Sequence, residues 1–230
     1  MLNRKTRTLP CLGLTFLLAT CGGGSGSLGD SPTISGAIQG WTLGAGYSLQ
    51  AELVNGPLTQ QQRIIATGTI DPQGAFSITL PGAAVMNQYV QSQSIVVTAN
   101  SGCNGMLVGG VTVSPDPLQA IKIYFYAVQG TTHKRISQIG FNYMATPQSS
   151  TQSSTQVGYY YSLATSTANG QVSCTTSTGT VRAAVSIGMV PGWNSLVTEA
   201  FAEKQNTGMT NGSTSMYSGL APGQAQWTFN

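Results

Sequence analysis

Two-residue alternation is what most restricts the folding of this chain. Phe76, Ile78 and Leu80 fall on one side of an extended segment and Ser77 and Thr79 on the other, directly after Asp71-Pro72-Gln73-Gly74. Successive strand side chains point to opposite faces, so the pattern commits the segment to a half-buried strand. Proline second and glycine fourth are the marks of a type I turn, which makes Arg63 to Ile70 the other arm of a hairpin. Thr33 to Gln39, Tyr47 to Val54, Ser94 to Ala99 and Met106 to Val113 read as further strands. Beyond them, Ile121, Ile123, Phe125 and Ala127 oppose Lys122, Tyr124 and Tyr126, and strands follow near Ile136 to Ala145, Val157 to Leu163, Gln171 to Thr175, Val181 to Ile187 and Gln224 to Phe229. The apolar phase shifts between Ile136 and Ile139, as at a bulge.

Pro147 to Gln156 reads as a polar loop, and Asn169-Gly170 and Ser177 to Gly179 as turns. In Trp193 to Lys204 the apolar spacing suits a helix, but the neighbouring strands favour a strand. Ser114-Pro115-Asp116-Pro117 is the best boundary, because two prolines in four residues cannot continue a ladder. The expectation is an all-β protein of two antiparallel β-sandwich modules, 33–113 and 118–230.

Ahead of these modules, Arg4, Lys5 and Arg7 precede the apolar run Leu12 to Ala19, which ends in small residues. That order is that of a secretory signal over residues 1–20, and the run is short of the about 20 apolar residues a membrane span requires. Gly22 to Ser27 is a Gly/Ser ribbon of the flexible kind, giving a tether over 21–32. Of the nine basic residues, three leave with the signal. The remaining Arg63, Lys122, Lys134, Arg135, Arg182 and Lys204 face Asp30, Glu52, Asp71, Asp116, Glu199 and Glu203. The exported part is neutral, which removes a broad basic footprint for nucleic acid and a polybasic patch for anionic lipid. With only 7% charged residues, solubility comes from hydroxyls and amides, while 40% hydrophobic content in alternation argues against disorder.

Leu18-Ala19-Thr20-Cys21 resembles the lipobox of bacterial lipoproteins, with Thr20 where Gly, Ala or Ser is usual. The resemblance implies lipid on Cys21 and an extracytoplasmic, membrane-anchored location in the cell envelope. Ile34-Ser35-Gly36, together with Gly68-Thr69-Ile70-Asp71 through Leu80-Pro81, resembles the transthyretin-like or carboxypeptidase-regulatory-like sandwich, which implies a stalk or accessory module. Gly192-Trp193-Asn194, with a last strand around Trp227, resembles the "G-W-N" sandwich modules of other envelope lipoproteins. In an oxidising envelope the two remaining thiols, Cys103 and Cys174, are expected to pair.

No motif for a catalytic nucleophile, metal site, phosphate loop or dinucleotide is present, so no catalytic residue, metal or cofactor is assigned. His133, the only histidine, reads as part of a polar turn, and Glu199 with Glu203 as a solvated edge. The candidate ligand contacts are Tyr124 and Tyr126, with Tyr160 as a neighbour, because rings on an exposed sheet face can stack on sugars or peptides. The functional expectation is a membrane-anchored envelope lipoprotein acting as a non-enzymatic structural or binding module, its partner a neutral glycan or another envelope protein. The alternative is a secreted or surface hydrolase with a dispersed site.

Overall fold

The computed structural model describes residues 26–54, 64–89, 105–115 and 119–229. The chain runs β1 (Ser27–Gly29), β2 (Thr33–Ala37), β3 (Ser48–Leu53), β4 (Ile64–Ile70), β5 (Ala75–Thr79), a one-turn helix α1 (Ala83–Met86), β6 (Met106–Ser114), β7 (Ala120–Gln129), β8 (Thr132–Ala145), β9 (Ser149–Ser162), β10 (Ser166–Thr176), β11 (Gly179–Met189), β12 (Gly192–Gln205), β13 (Thr210–Ser218) and β14 (Gln226–Phe229). All the strands belong to one sheet, ordered β2-β5-β4-β3-β7-β8-β9-β12-β13-β11-β10-β6, with β1 on β12 and β14 on β8. The fold is all-β, and the sheet is mixed because β11 and β13 run parallel.

The pairings return on themselves at one end. β14 pairs with β8, Ile38 bridges Trp227, and Gln39 N–H donates to Trp227 O at 2.7 Å, so β2-β5-β4-β3-β7-β8-β14 form a closed, barrel-like circuit. Its interior holds Ile34, Leu49, Ile78, Phe125, Ile136 and Trp227. The central strands also feed a second core from their other face. β7, β9 and β12 send Ile123, Tyr159 and Trp193 to the first core, and Ala120, Tyr160 and Leu196 to a second one with Val185, Ile187 and Met189. Alternation alone produces this division.

The secure hairpin takes the expected form. Asp71 Oδ1 accepts from Gln73 N–H and Ala75 N–H, both at 2.9 Å, and Gly74 has φ +86°, where a Cβ would also strike Trp41.

Several other expectations are corrected. Residues 149–156 are not a loop but the first half of β9, paired with β12 from Ser149↔Gln205 to Ser162↔Gly192. None of these residues belongs to either core and all but Thr155 are half-buried or exposed, while β8 and β12 supply the ladder; polar composition there does not mean loop. Asn169-Gly170 lies inside β10, where a Cβ at Gly170 would collide with the backbone oxygen of Gly110 on β6. His133 belongs to β8, opposite Val128, rather than to a turn. The phase shift after Ile136 marks the point at which β8 exchanges β7 for β9 as its neighbour. Trp193 to Lys204 is strand, as its neighbours imply.

The Pro-rich junction does not divide the sheet. β1 pairs with β12, β3 with β7 and β6 with β10, so three strand pairs, besides the Ile38–Trp227 bridge, join the chain before 114–117 to the chain after it. Part of the expected tether is also built into the fold. Ser195 N–H donates to Gly26 O at 2.6 Å, Ser27 is opposite Asn194, Asp30 Oδ1 accepts from Ala83 N–H at 2.9 Å and Ser31 Oγ donates to Leu80 O at 2.7 Å. Ser94 to Ala99 lies outside the described residues.

Candidate functional site

The odd-numbered residues of β7 enter the first core, which leaves Lys122, Tyr124 and Tyr126 on the outer face. Register then fixes their neighbours: Tyr124 is opposite Glu52 of β3, Tyr126 is between Gln50 of β3 and Arg135 of β8, and Lys122 is opposite Tyr160 of β9. Directly paired residues share a face, so all three tyrosines singled out from sequence converge there with Lys122, Arg135, Glu52 and His133.

They are not freely exposed rings. The Arg135 guanidinium carbon is 3.4 Å from the Tyr124 ring centroid, Lys122 Nζ is 5.2 Å from that of Tyr124 and 5.5 Å from that of Tyr160, and Tyr126 stacks on His133 at 4.1 Å. Tyr160 is only 8% exposed, and Tyr124 and Tyr126 are half-buried. Burial, and then the nearby Tyr124, pushes the Tyr160 hydroxyl up to about 12. On the opposite face, burial raises Tyr159 as well, and its hydroxyl donates to Gln138 Oε1 at 2.8 Å. A central strand in a two-cored sheet covers both its faces, which is why alternation did not leave these rings bare.

Sequence reasoning missed the partner of His133. Its Nε2 lies 2.6 Å from Oε1 of the buried Glu52, 81 positions away. The one available signal was parity, since Ser48, Gln50 and Glu52 form the polar face of their strand. Among the described residues no hydroxyl is hydrogen-bonded to the His133 ring, and no group of three His, Cys, Asp or Glu residues could hold a metal ion.

Where β7 leaves β9 for β8, a cavity of about 20 Å³ opens between the three strands, lined by Lys122, Tyr124, Arg135 and Gly158 from the outer face and by Phe125 and Trp227 from the first core. It has room for one water molecule or one ligand oxygen. Gly158 has no Cβ to obstruct the site; one would sit 2.8 Å from Tyr160 Cε2 and 3.5 Å from Lys122 Cε. A wider groove of about 530 Å³ along β6, β10, β11 and β13 has Arg182 as the one titratable group among its described lining residues. Glu52, Lys122, His133 and Arg135 thus gather with the three tyrosines on the outer face of β3, β7, β8 and β9.

Burial, and secondarily the charge of Arg135, lowers the Lys122 pKa below its ordinary 10.5. Between that lowered value and 10.5 the unfolded chain binds more protons, so this residue's contribution makes stability rise with pH across that window. Tyr159 and Tyr160, whose pKa values are raised, act in the opposite sense above about pH 10. Lys122→Met is expected to be more stable than the parent at neutral pH and to lack the alkaline rise, as read from denaturant midpoints over a pH series. An equal rise in both proteins would contradict the assignment.

Cys174 is in β10 opposite Leu107 and Val181 and is not an unpartnered thiol. Cys21 and Cys103 lie outside the described residues. Among the described residues no helix is long and apolar enough to cross a membrane. No family model, curated protein or solved structure matches this chain.

Proposed function

We propose that this chain is a bacterial envelope lipoprotein anchored through lipid on Cys21, and that its folded part is a non-enzymatic binding module. Its contact face is the outer face of β3, β7, β8 and β9. The observation that carries this reading is the convergence there of three tyrosines, two cations and a His–Glu pair, drawn from four strands of a chain otherwise poor in charge. A Cys103–Cys174 disulfide belongs to the same extracytoplasmic proposal.

Docking of Gly26 bears on how the anchor would work. Cys21 is five residues before Gly26, a reach of at most about 17 Å, so the fold would sit close to the bilayer instead of swinging on a long tether. Cys21→Ser is expected to move the protein from the detergent phase to the aqueous phase in a phase-separation assay; wild type already in the aqueous phase would contradict anchoring. For the contact face, Tyr126→Ala is expected to weaken retention on isolated cell-envelope material, and unchanged retention would count against that face. The hydrolase alternative has one observation in its favour, the Glu52–His133 pair, which could orient a base. Turnover of an ester or glycoside substrate that is lost in His133→Ala would support it.

A further inference from the structure

The outer face carries an imbalance that a neutral ligand would not use. Among the described residues, neither the Lys122 ammonium nor the Arg135 guanidinium has an acidic partner or a hydrogen bond; the contacts of these side chains are with the tyrosine rings. Arg135 Nε is fully buried and meets no acceptor. The nearby carboxylate, Glu52, is engaged by His133. Burying cations side by side without compensation is unfavourable, and the burial and mutual repulsion that lower the Lys122 pKa express the same cost.

We propose that the crevice where β7 leaves β9 for β8 receives one oxygen of an oxyanion, a carboxylate or phosphate group on the ligand, held by Arg135 and Lys122 beside the Tyr124 ring. This rests on the reading of the outer face as a binding face and names the chemistry it recognises. The cavity behind Arg135 admits an oxygen atom but not a sugar ring, and the guanidinium already covers one face of Tyr124. Charged hydrogen bonds to an anion are therefore available where ring stacking is obstructed. Gly158 lines the crevice with Lys122, and its absent Cβ leaves the room beside it that the Tyr160 ring and the Lys122 stem occupy.

The test is a titration of the whole folded protein with inorganic phosphate, and separately with acetate, at constant ionic strength, following the Arg135 Nε–Hε resonance by NMR. The expected result is a saturable shift with at least one of the two anions, weakened about tenfold or more in Lys122→Met. Response to phosphate alone, to acetate alone or to both would each support the site and identify the group it prefers. No saturable shift, or a shift equal in Lys122→Met, overturns the proposal; Lys122→Met is chosen because it removes an uncompensated charge and is expected to fold. Retention on envelope material separates the two levels. If Lys122→Met is retained as wild type but Tyr126→Ala is not, the face binds without an anion and only the oxyanion proposal falls. If neither change affects retention, the binding-face reading falls as well.

Discussion

Replacing Trp227 with alanine is expected to remove about 3–5 kcal/mol of stability, the range for deleting a large buried aromatic side chain. Trp227 is 6% exposed and forms the centre of a ring cluster, with Phe76 at 5.0 Å and Phe125 at 5.4 Å edge-on, and Tyr159 stacked at 5.9 Å. These partners come from β5, β7 and β9, so the cavity would open between elements far apart in sequence. The backbone adds to the effect, because Trp227 bridges Ile38 and closes the circuit of strands. Trp41→Ala is the internal control. That ring is only partly buried and stacks on Phe229 near the chain's end, so its loss should cost distinctly less. Denaturant midpoints at unchanged slope measure both, and a Trp227→Ala loss below about 1 kcal/mol would contradict its central place.

The second large effect belongs to Asn194, the third residue of β12, which is fully buried and reaches back to the turn from β11. Its Oδ1 accepts from Val190 N–H at 3.1 Å, and its Nδ2 donates to Val190 O at 2.8 Å and Gly192 O at 2.9 Å. Asn194→Ala strands several of these groups, and a loss of about 2 kcal/mol or more is expected. Asn194→Asp separates hydrogen bonding from packing. At neutral pH its carboxylate would face two carbonyl oxygens, so its folded pKa would be raised, and stability should recover as the pH falls through that raised value. An aspartate variant as stable as the parent at neutral pH would contradict the clamp.

The Gly-Trp-Asn tripeptide shows how far the sequence could be read. Gly192 adopts φ +100°, Trp193 is fully buried and donates from Nε1 to Pro81 O at 2.8 Å, and Asn194 clamps the turn. All three roles are structural, and the tripeptide was visible without coordinates. Alternation likewise placed β2 to β7 and the Asp71 turn, most plainly in β2 and β5, where buried residues take turns with exposed ones. It failed along the first half of β9, residues 149–156, where the sheet leaves the cores and polarity no longer distinguishes strand from loop. It also failed at the outer face, since the proximity of Glu52 to His133, or of Lys122 to Arg135, depends on which strands become neighbours. Local pattern does not encode that pairing; β8 takes β7 over one half of its length and β9 over the other.

The outer face exists because β3, from before the proline junction, lies in one sheet with β7, β8 and β9 from after it. Native-state hydrogen exchange tests this dependence most directly. Amides of β2 and β5, such as Ile34 and Ile78, should show the same opening free energy as those of β12 around Trp193, within about 1 kcal/mol, and all should fall together in Trp227→Ala. If β2 and β5 lose protection in that variant while β12 keeps its own, the halves are independent modules and the shared sheet is contradicted.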